Sequence, residues 1–302
     1  MEPVKTPLIL YIPGLLPKPE AEAHKAALIR CLLQGVNKAD PSVAKQIGAT
    51  EHSFDVVAWT YDFYREHRDI SLDAAAIDAV IEQRHARAED VREASSLIRR
   101  ATVWLYRMGD LAPFLIPHLA SEKMEVHIRD LRRYVRNHNG IADHVREMLK
   151  VPLRAASESG RPIMLIAHSM GSVISYDSLW EMTHKTGDRA RIDHLLTLGS
   201  PLGQNYLQKR IFGHDQHGEA RYPHNIRHWS NLSSIGDLTA IDRVLRNDFA
   251  EMLELGLVEA IEDIDVLNYF RLNGTLNVHS EYGYLVNETT GRVIANWWKE
   301  HL

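Results

Sequence analysis

A chain of 302 residues with 45% hydrophobic content is long enough to bury a large core. Its net charge of -5 gives no electrostatic reason to expect nucleic acid as a partner, and a single cysteine, Cys31, excludes an internal disulfide framework and favours a reducing compartment. Residues 1–7 lack the basic and apolar regions of a signal peptide, and no apolar run approaches the ~20 residues of a membrane helix, so we expect a cytoplasmic protein without a transmembrane segment.

The first predicted unit is a buried strand followed by a helix. The strand is the apolar run Leu8–Ile12, and Pro19 with the two glutamates after it is typical of the first turn of a helix that should extend to about Gly35. The loop between them allows two interpretations. Gly14 is an ordinary turn glycine, or the backbone N–H groups of Gly14 and Leu15 face the serine-containing turn described below.

Aromatic residues follow the second predicted strand. The strand candidate is Phe54–Trp59, and Tyr61, Phe63 and Tyr64 lie just beyond its carboxyl end. Ligands of open α/β sheets bind outside the carboxyl ends of strands. The cluster therefore either lines a pocket, with Tyr61 contacting the substrate, or packs in the core.

A long helical insertion, approximately residues 65–138, separates the second strand from the third. Its large apolar residues are concentrated between Ile98 and Leu119. Because a connection in such a sheet normally takes only a few residues, we expect the insertion to be a cap or lid over the site. Helices that only pack against the sheet, or an amphipathic helix that contacts a membrane surface, are the alternatives. No linker, repeat or low-complexity tract interrupts the chain, so residues 1–302 are expected to form a single domain.

A helix is predicted directly before the third strand. Its apolar stripe runs from Ile141 to Leu149, and Pro152 interrupts the pattern. A proline in a helix interior costs ~3 kcal/mol. We therefore expect a kink, or two helices, at this position.

The third strand leads into the stretch around which the fold is organised. Ile163–Ala167 is an unbroken apolar run, typical of a central parallel strand that is buried on both faces. Ser169 follows among small residues, with Ala167 and Gly171 on either side, and a helical pattern begins at Val173. Such an abrupt turn holds the serine in a cramped backbone conformation and points the helix N-terminus at any anion that forms there.

Three further strands are predicted after the serine helix, namely Ile192–Leu198, Arg227–Leu232 and Val266–Phe270. The second of them ends at a loop with Asp237, and the third is followed by a polar loop with His279. A helix over Val244–Ile261 is expected before the last strand. A closing helix that contains Trp297 and Trp298 is expected to cover one face of the sheet.

The polar loop from Gln204 to His224 is rich in potential metal ligands. His214 and His217 have the His-x-x-His spacing, and Asp215 lies between them. These residue types bind zinc, but nothing in the pattern fixes their geometry. We predict neither a metal site nor a cofactor.

A serine hydroxyl is a poor nucleophile unless a base lies within hydrogen-bonding reach and a further group orients that base. Ser169, Asp237 and His279 all lie at carboxyl ends of predicted parallel strands, so they can converge at one edge of the sheet. Asp242 is the alternative acid; Asp237 is preferred because it lies next to a glycine at the strand exit. His168 is not expected to be the base, because adjacent residues on such a turn point in different directions. It is predicted to pack or to form a hydrogen bond near the turn.

The chain resembles the serine esterases and lipases of the α/β-hydrolase fold. The most specific elements are Ala167-His168-Ser169-Met170-Gly171 and Leu198-Gly199-Ser200-Pro201-Leu202. Alanine replaces the usual first glycine of the serine turn, and no His-Gly pair precedes the loop after the first strand. The segments that match in order are Leu8–Leu15, Ile163–Ser175, Thr197–Gly203, Trp229–Asp237 and His279–Tyr282.

The resemblance implies a mostly parallel sheet flanked by helices, and a role for each site residue. Ser169 would be the nucleophile, His279 the general acid and base, and Asp237 the residue that orients His279. The backbone N–H groups of Met170 and Leu15 would form the oxyanion hole.

The predicted function is hydrolysis of small-molecule or lipid carboxylic esters through an acyl-serine intermediate, with Gly14 and Tyr61 contacting the substrate. The alternatives are a lipase or phospholipase that acts at a lipid interface, and a binding module of the same fold without catalysis. These residues do not separate esterase from thioesterase or amidase activity. They also leave the acyl chain, the alcohol and the oligomeric state open.

Overall fold

The computed structural model describes residues 5–111, 122–188 and 190–302. Within them, a six-stranded parallel sheet has the order β2-β1-β3-β4-β5-β6. Its strands are β1 (Leu8–Ile12), β2 (Phe54–Val56), β3 (Ile163–His168), β4 (Ile192–Leu198), β5 (Ile226–Ser234) and β6 (Ala260–Val266). A small antiparallel pair follows, formed by β7 (Arg271–Leu272) and β8 (Thr275–Leu276).

Helices fill most of the remaining described chain. In order they are α1 (Ala21–Ala39), α2 (Pro41–Ala49), α3 (Thr60–Tyr64), α4 (Ser71–Glu82), α5 (Ala88–Ala94), α6 (Leu97–Leu111), α7 (Glu122–Val135), α8 (Ile141–Glu158), α9 (Met170–His184), α10 (Asn205–Gln208), α11 (Leu245–Asp248), α12 (Ala250–Glu254), α13 (Glu281–Leu285) and α14 (Glu288–Glu300).

Alternate residues of the central strands enter two separate cores. Leu10 and Leu165 face the core that contains the buried side of α8 and α9. Ile9 and Met164 face the core that contains α1 and the tryptophans of α14. Because side chains on a strand alternate between its faces, a run that is apolar at every position requires helices on both sides of the sheet. The sequence prediction of an α/β fold with a parallel sheet between helices is confirmed.

The predicted insertion coincides with α4 to α7, and the described residues between Val57 and Pro162 contain no strand. Two of its arginines reach the region around Asp237. Arg99 Nε donates to the Gly236 carbonyl at 3.1 Å, and Arg107 Nη2 donates to the Ile241 carbonyl at 2.7 Å. Residues 112–121, which include part of the apolar stretch predicted between Ile98 and Leu119, lie outside the described residues.

Of the two outcomes expected at Pro152, a division into two helices is wrong, and a kink stays a prediction. Pro152 lies inside the continuous helix α8, which spans Ile141–Glu158. Leu149 and Leu153, on either side of the proline, are fully buried in the core. Packing of the apolar stripe on both sides of Pro152 offsets the loss of one helical hydrogen bond, and tertiary contacts decide the outcome.

The predicted helix Val244–Ile261 and last strand Val266–Phe270 are also wrong. Two short helices, α11 and α12, precede an edge strand at Ala260–Val266. This strand contains several carboxylates, and Asp263 accepts hydrogen bonds from the Asn231 side chain and the Leu245 backbone. An edge strand with one exposed side tolerates such residues. Its pattern of apolar and polar residues is therefore hard to distinguish from that of a helix.

Helix α1 extends to Ala39, beyond the predicted end at Gly35, because this glycine lies at a helix crossing and not at a helix end. A Cβ atom on Gly35 would lie 2.1 Å from the Leu285 carbonyl oxygen, and one on Gly291 would lie 1.9 Å from the Gly35 carbonyl oxygen. The backbone of α1 therefore approaches those of α13 and α14 so closely that neither glycine can bear a side chain.

Gly291→Ala is expected to lower the free energy of unfolding by about 1–3 kcal/mol, because the added methyl forces the two helices apart. Gly48→Ala is the matched control, since a Cβ atom there would make an ordinary contact at 3.5 Å with Leu33. The control should stabilise the protein by up to about 1 kcal/mol through helix propensity. Urea unfolding of both variants measures the difference; equal effects would contradict the close helix crossing.

Candidate active site

Ser169 lies at the turn between β3 and α9 in a strained backbone conformation. Its φ of 53° and ψ of -123° are rare for a residue with a side chain, and its N–H donates to the Leu198 carbonyl at 2.9 Å. Strain of this kind costs on the order of 1–3 kcal/mol and requires support from the surroundings. The turn therefore holds the serine at the carboxyl edge of the sheet.

Two glycines make room for this turn. A Cβ atom on Gly171 would lie 2.5 Å from the Ile12 carbonyl oxygen, and one on Gly14 would lie 2.7 Å from the Ser169 Cβ atom. Larger residues at either position would push the loop after β1 away from the serine. The loop that contains Gly14 therefore contacts Ser169 directly.

Ser169, His279 and Asp237 form a continuous chain of contacts. Ser169 Oγ lies 2.9 Å from His279 Nε2, and His279 Nδ1 lies 2.8 Å from Asp237 Oδ2. A carboxylate only accepts hydrogen bonds, so Nδ1 bears the imidazole proton and Nε2 has a lone pair for the serine hydroxyl. Both Ser169 and Asp237 are buried, whereas the side chain of His279 is 26% exposed.

The carboxylate of Asp237 is held ionised by its surroundings. Burial alone would raise the pKa of Asp237, but the neighbouring His279 and several hydrogen bonds outweigh burial and lower the pKa below its ordinary value of 3.8. The Tyr284 hydroxyl donates to Oδ2 at 2.8 Å, and the Thr239 backbone N–H donates to Oδ1 at 2.8 Å. Ser234 N–H in turn donates to the Tyr284 hydroxyl, which fixes its orientation. Each oxygen of the carboxylate is therefore positioned by a separate part of the chain.

Asp242, the alternative acid, lies at the surface and accepts a hydrogen bond from the Val244 backbone N–H. No hydrogen bond joins it to His279 among the residues that the structure describes. Of the two carboxylates, the structure brings only Asp237 to the histidine.

Gly199 is a site residue whose role the sequence did not indicate. Its φ is +58°, and a Cβ atom there would lie 2.9 Å from Asp237 Oδ2 and 3.0 Å from His279 Nδ1. Any side chain would therefore separate the acid from the base. A glycine directly after the strand next to the serine strand is a signal that could have been used.

Two buried hydroxyls, those of Ser172 and Ser200, support the serine turn. Ser172 Oγ donates to the Ser169 carbonyl at 2.5 Å and lies 2.8 Å from Ser200 Oγ. Ser200 Oγ also accepts from the Leu202 backbone N–H at 3.2 Å. The second motif of the sequence thus contacts the serine turn, although neither hydroxyl contacts His279.

His168 is buried beside the site, with its ring centroid 4.8 Å from that of His279. Its Nε2 donates to the His279 carbonyl at 2.9 Å, and its Nδ1 has no hydrogen-bond partner in the described part of the chain. Burial, together with the nearby His279, lowers the pKa of His168 from 6.5 to about 3. The ring is therefore neutral at physiological pH, and it positions the backbone of His279.

The buried ring of His168 should make stability depend on pH. The unfolded chain takes up a proton below pH 6.5, and the folded chain takes it up only near pH 3, so stability is fully present above 6.5 and falls as the pH is lowered through this window. The free energy of unfolding changes by at most about 1.4 kcal/mol per pH unit. His168→Gln, which keeps a donor for the His279 carbonyl, should have a shallower slope between pH 6 and 4. Equal slopes in urea unfolding would show that His168 does not titrate in this way.

The loop after β1 is fixed by Trp59 and by Tyr64 of the aromatic cluster. Trp59 Nε1 donates to the Pro13 carbonyl at 2.9 Å, and the Leu16 backbone N–H donates to the Tyr64 hydroxyl at 3.1 Å. Leu16 has a φ of 75°, in the left-handed region that only external contacts maintain in a residue of this type. Trp59 and Tyr64 thus hold the loop that contacts Ser169, a role that the sequence did not indicate.

The two predicted oxyanion donors, Met170 and Leu15, belong to segments that adjoin Ser169, and their role stays a prediction. Met170 is the first residue of α9, where backbone N–H groups have no helical partner. Leu15 follows Gly14 in the loop that contacts the serine. Tyr61, a predicted substrate contact, is 44% exposed and stacks on His67 at 4.5 Å, and no described contact joins it to Ser169. Its role stays a prediction.

Within residues 5–111, 122–188 and 190–302, no group of three or more histidines, cysteines, aspartates or glutamates could hold a metal ion. His214 and His224 instead contact the backbone carbonyls of Ile211 and Glu219. Among the described helices, none is both long and apolar enough to span a membrane.

Comparison with protein-family models, with curated proteins and with solved structures finds no match to this chain. Any function must therefore be inferred from the residues themselves.

Proposed function

We propose that this chain is a serine hydrolase of the α/β-hydrolase fold that cleaves carboxylic esters through an acyl-serine intermediate. The observation that supports the proposal most strongly is the chain of contacts from Ser169 to His279 at 2.9 Å and from His279 to Asp237 at 2.8 Å. Ser169 follows β3 and Asp237 follows β5 of the parallel sheet, and His279 lies after the antiparallel pair β7-β8. Their order along the chain, serine, aspartate, histidine, is typical of this architecture.

In the proposed acylation step, Ser169 Oγ attacks the ester carbonyl carbon as His279 Nε2 takes the hydroxyl proton. Ionised Asp237 holds the proton on Nδ1 and stabilises the imidazolium that forms. The backbone N–H groups of Met170 and Leu15 would stabilise the oxyanion of the tetrahedral intermediate, and one such donor is typically worth about 3 kcal/mol. The intermediate then collapses, the C–O bond to the alcohol breaks, and His279 returns the proton to the departing alkoxide.

Deacylation uses the same groups with water in place of the alcohol. His279 Nε2 takes a proton from water, and the resulting hydroxide attacks the carbonyl of the acyl-serine. When this second intermediate collapses, His279 protonates Ser169 Oγ and the carboxylic acid is released. No residue outside the three named groups has to change its protonation state.

We further propose that the insertion forms a cap over this site. The hydrogen bonds of Arg99 and Arg107 place α6 against the loop that contains Asp237, near the carboxyl edge of the sheet. A cap in this position would exclude water from the acyl chain.

The exposed side chains of α6 favour one second candidate, an enzyme that acts at a lipid interface. Leu97, Ile98 and Trp104 are 80%, 82% and 63% exposed. Large apolar residues that are exposed together mark interaction surfaces in many proteins. A rise in rate when the ester substrate passes its aggregation point would favour a lipase or phospholipase, and a smooth saturation curve would favour an esterase.

The proposal is tested with the unmodified protein, p-nitrophenyl esters of increasing acyl length and an alkyl fluorophosphonate. Turnover of at least the short-chain esters and covalent labelling by the fluorophosphonate are expected. A folded protein that neither hydrolyses any of these esters nor reacts with the fluorophosphonate would contradict the proposal and favour a binding module of this fold.

A further inference from the structure

A buried carboxylate lies two residues beyond His279. Glu281 is only 5% exposed, yet three donors surround its two oxygens. Lys18 Nζ lies 2.8 Å and His24 Nε2 lies 3.1 Å from Oε1, and the Tyr11 hydroxyl donates to Oε2 at 3.0 Å. All three donors belong to β1, α1 or the loop between them, so Glu281 connects the first unit of the fold to the segment that contains the histidine.

Lys18 lies at the far end of the loop that contains Leu15. Leu16 in this loop has a left-handed backbone conformation, which a leucine adopts only under external constraint. Trp59 and Tyr64 hold the loop at Pro13 and Leu16, as described above. At the other end of the loop, the Lys18 side chain pairs with Glu281, and the Lys18 carbonyl accepts a hydrogen bond from the Arg68 backbone N–H at 3.0 Å.

Two further side chains hold the backbone of the segment that contains His279. His168 Nε2 donates to the His279 carbonyl, and the Asn268 side-chain amide donates to the Ser280 carbonyl at 2.7 Å. Glu281 then begins α13, and its side chain reaches back to Lys18. A change at Glu281 is therefore transmitted to two elements, the loop of Leu15 and the backbone of His279.

The carboxylate of Glu281 is charged at neutral pH. Burial would raise its pKa, but Lys18 and His24 outweigh burial and hold the pKa well below its ordinary value of 4.5. The contact between Lys18 and Glu281 is thus an ion pair shielded from water, in which loss of one partner leaves an uncompensated charge.

We propose that Glu281 and Lys18 are positioning residues that fix the Leu15 loop relative to His279 in the proposed hydrolase. The inference rests on the proposed function, because it assigns the pair an effect on the oxyanion hole and the general base at the same time. Neither residue contacts the serine hydroxyl, and neither takes or gives a proton in the reaction.

Loss of the pair should impair the transition state more than the ground state. Oxyanion donors act at 2.7–3.1 Å from the developing charge, and a displacement of about 1 Å removes most of the benefit. An interaction made only in the transition state lowers kcat and leaves KM nearly unchanged. We expect Lys18→Met to lower kcat about 10- to 100-fold with a change in KM of less than about threefold.

The experiment measures kcat, KM and the affinity for phenylboronic acid, which forms a tetrahedral adduct on an active serine. Active-site titration gives the fraction of molecules that are competent. Lys18→Arg should recover most of the lost kcat. Glu281→Gln should lower kcat to a similar extent, and the double variant Lys18→Met with Glu281→Gln should be little worse than either single one. Lys25→Met is the matched control, since Lys25 pairs with Asp55 at 2.9 Å on the surface, and it should leave kcat unchanged.

The boronate separates positioning from simple loss of structure. If the pair positions the loop, boronate affinity falls in proportion to kcat/KM. If the variants only unfold in part, the titrated fraction falls while the affinity of the remaining sites stays the same, and the inference is wrong. Unchanged kcat in both single variants would also overturn it. Absence of both ester turnover and fluorophosphonate labelling in the wild-type protein would instead contradict the proposed function itself.

Discussion

Ser169→Ala is expected to abolish fluorophosphonate labelling and to lower ester turnover by about 10⁴-fold or more. In the proposed mechanism, the substitution removes the atom that forms the acyl bond and leaves His279 without a proton to take from the nucleophile. The turn itself should survive, because its strained backbone is held by the close contacts of Gly14 and Gly171, not by the hydroxyl. Turnover and labelling are measured on the folded variant.

Ser175→Ala is the matched control for this experiment. Ser175 is a buried serine on the same helix, and its hydroxyl has no hydrogen-bond partner in the described part of the chain. Its loss should leave labelling and turnover close to those of the unmodified protein. Undiminished turnover in Ser169→Ala, with the control behaving as expected, would end the assignment of Ser169.

The second large effect is expected for Asp237→Asn. The amide is neutral and its nitrogen is a donor, so it no longer favours the tautomer with the proton on His279 Nδ1 and no longer stabilises the imidazolium. We expect kcat to fall by about 10⁴-fold while the protein remains folded. The rate constant of fluorophosphonate labelling should fall with it, since the same base activates the serine.

Asp242→Asn distinguishes the two carboxylates that the sequence left as alternatives. Asp242 is exposed and accepts only a backbone hydrogen bond from Val244, a role that asparagine can also fill. Turnover of this variant should match that of the unmodified protein. A large loss in Asp242→Asn together with normal activity in Asp237→Asn would reverse the assignment of the acid.

The sequence was most informative where local pattern and final structure agree. The apolar run before Ser169 predicted a strand buried on both faces, and small residues around the serine predicted the tight turn. The strand Ile192–Leu198 was predicted with the bounds that the structure shows. In each case a single segment contains both the hydrophobic pattern and the signal that ends the strand.

Sequence reasoning failed where contacts from distant segments decide the outcome. Pro152 remains inside a helix because the stripe around it packs on the sheet, and the acidic edge strand β6 is stabilised by pairing with β5. Local propensity does not include either interaction.

The contacts that support the site could not be predicted from the sequence either. Tyr64 reaches Leu16 over 48 positions, and Glu281 reaches Lys18 over 263 positions. Nothing in either local sequence marks the partner. Ser169 and Asp237 could be selected from the sequence because the carboxyl ends of parallel strands share one edge of the sheet. The supporting contacts depend instead on the angles at which loops leave the sheet.

The most direct measurement is the site at which an alkyl fluorophosphonate becomes attached, determined by peptide mass mapping of the labelled protein. An activated hydroxyl at the turn after β3 predicts one adduct, on Ser169, formed at a rate that depends on His279. An adduct on a different residue, or ester turnover that persists when Ser169 is fully labelled, would contradict this account.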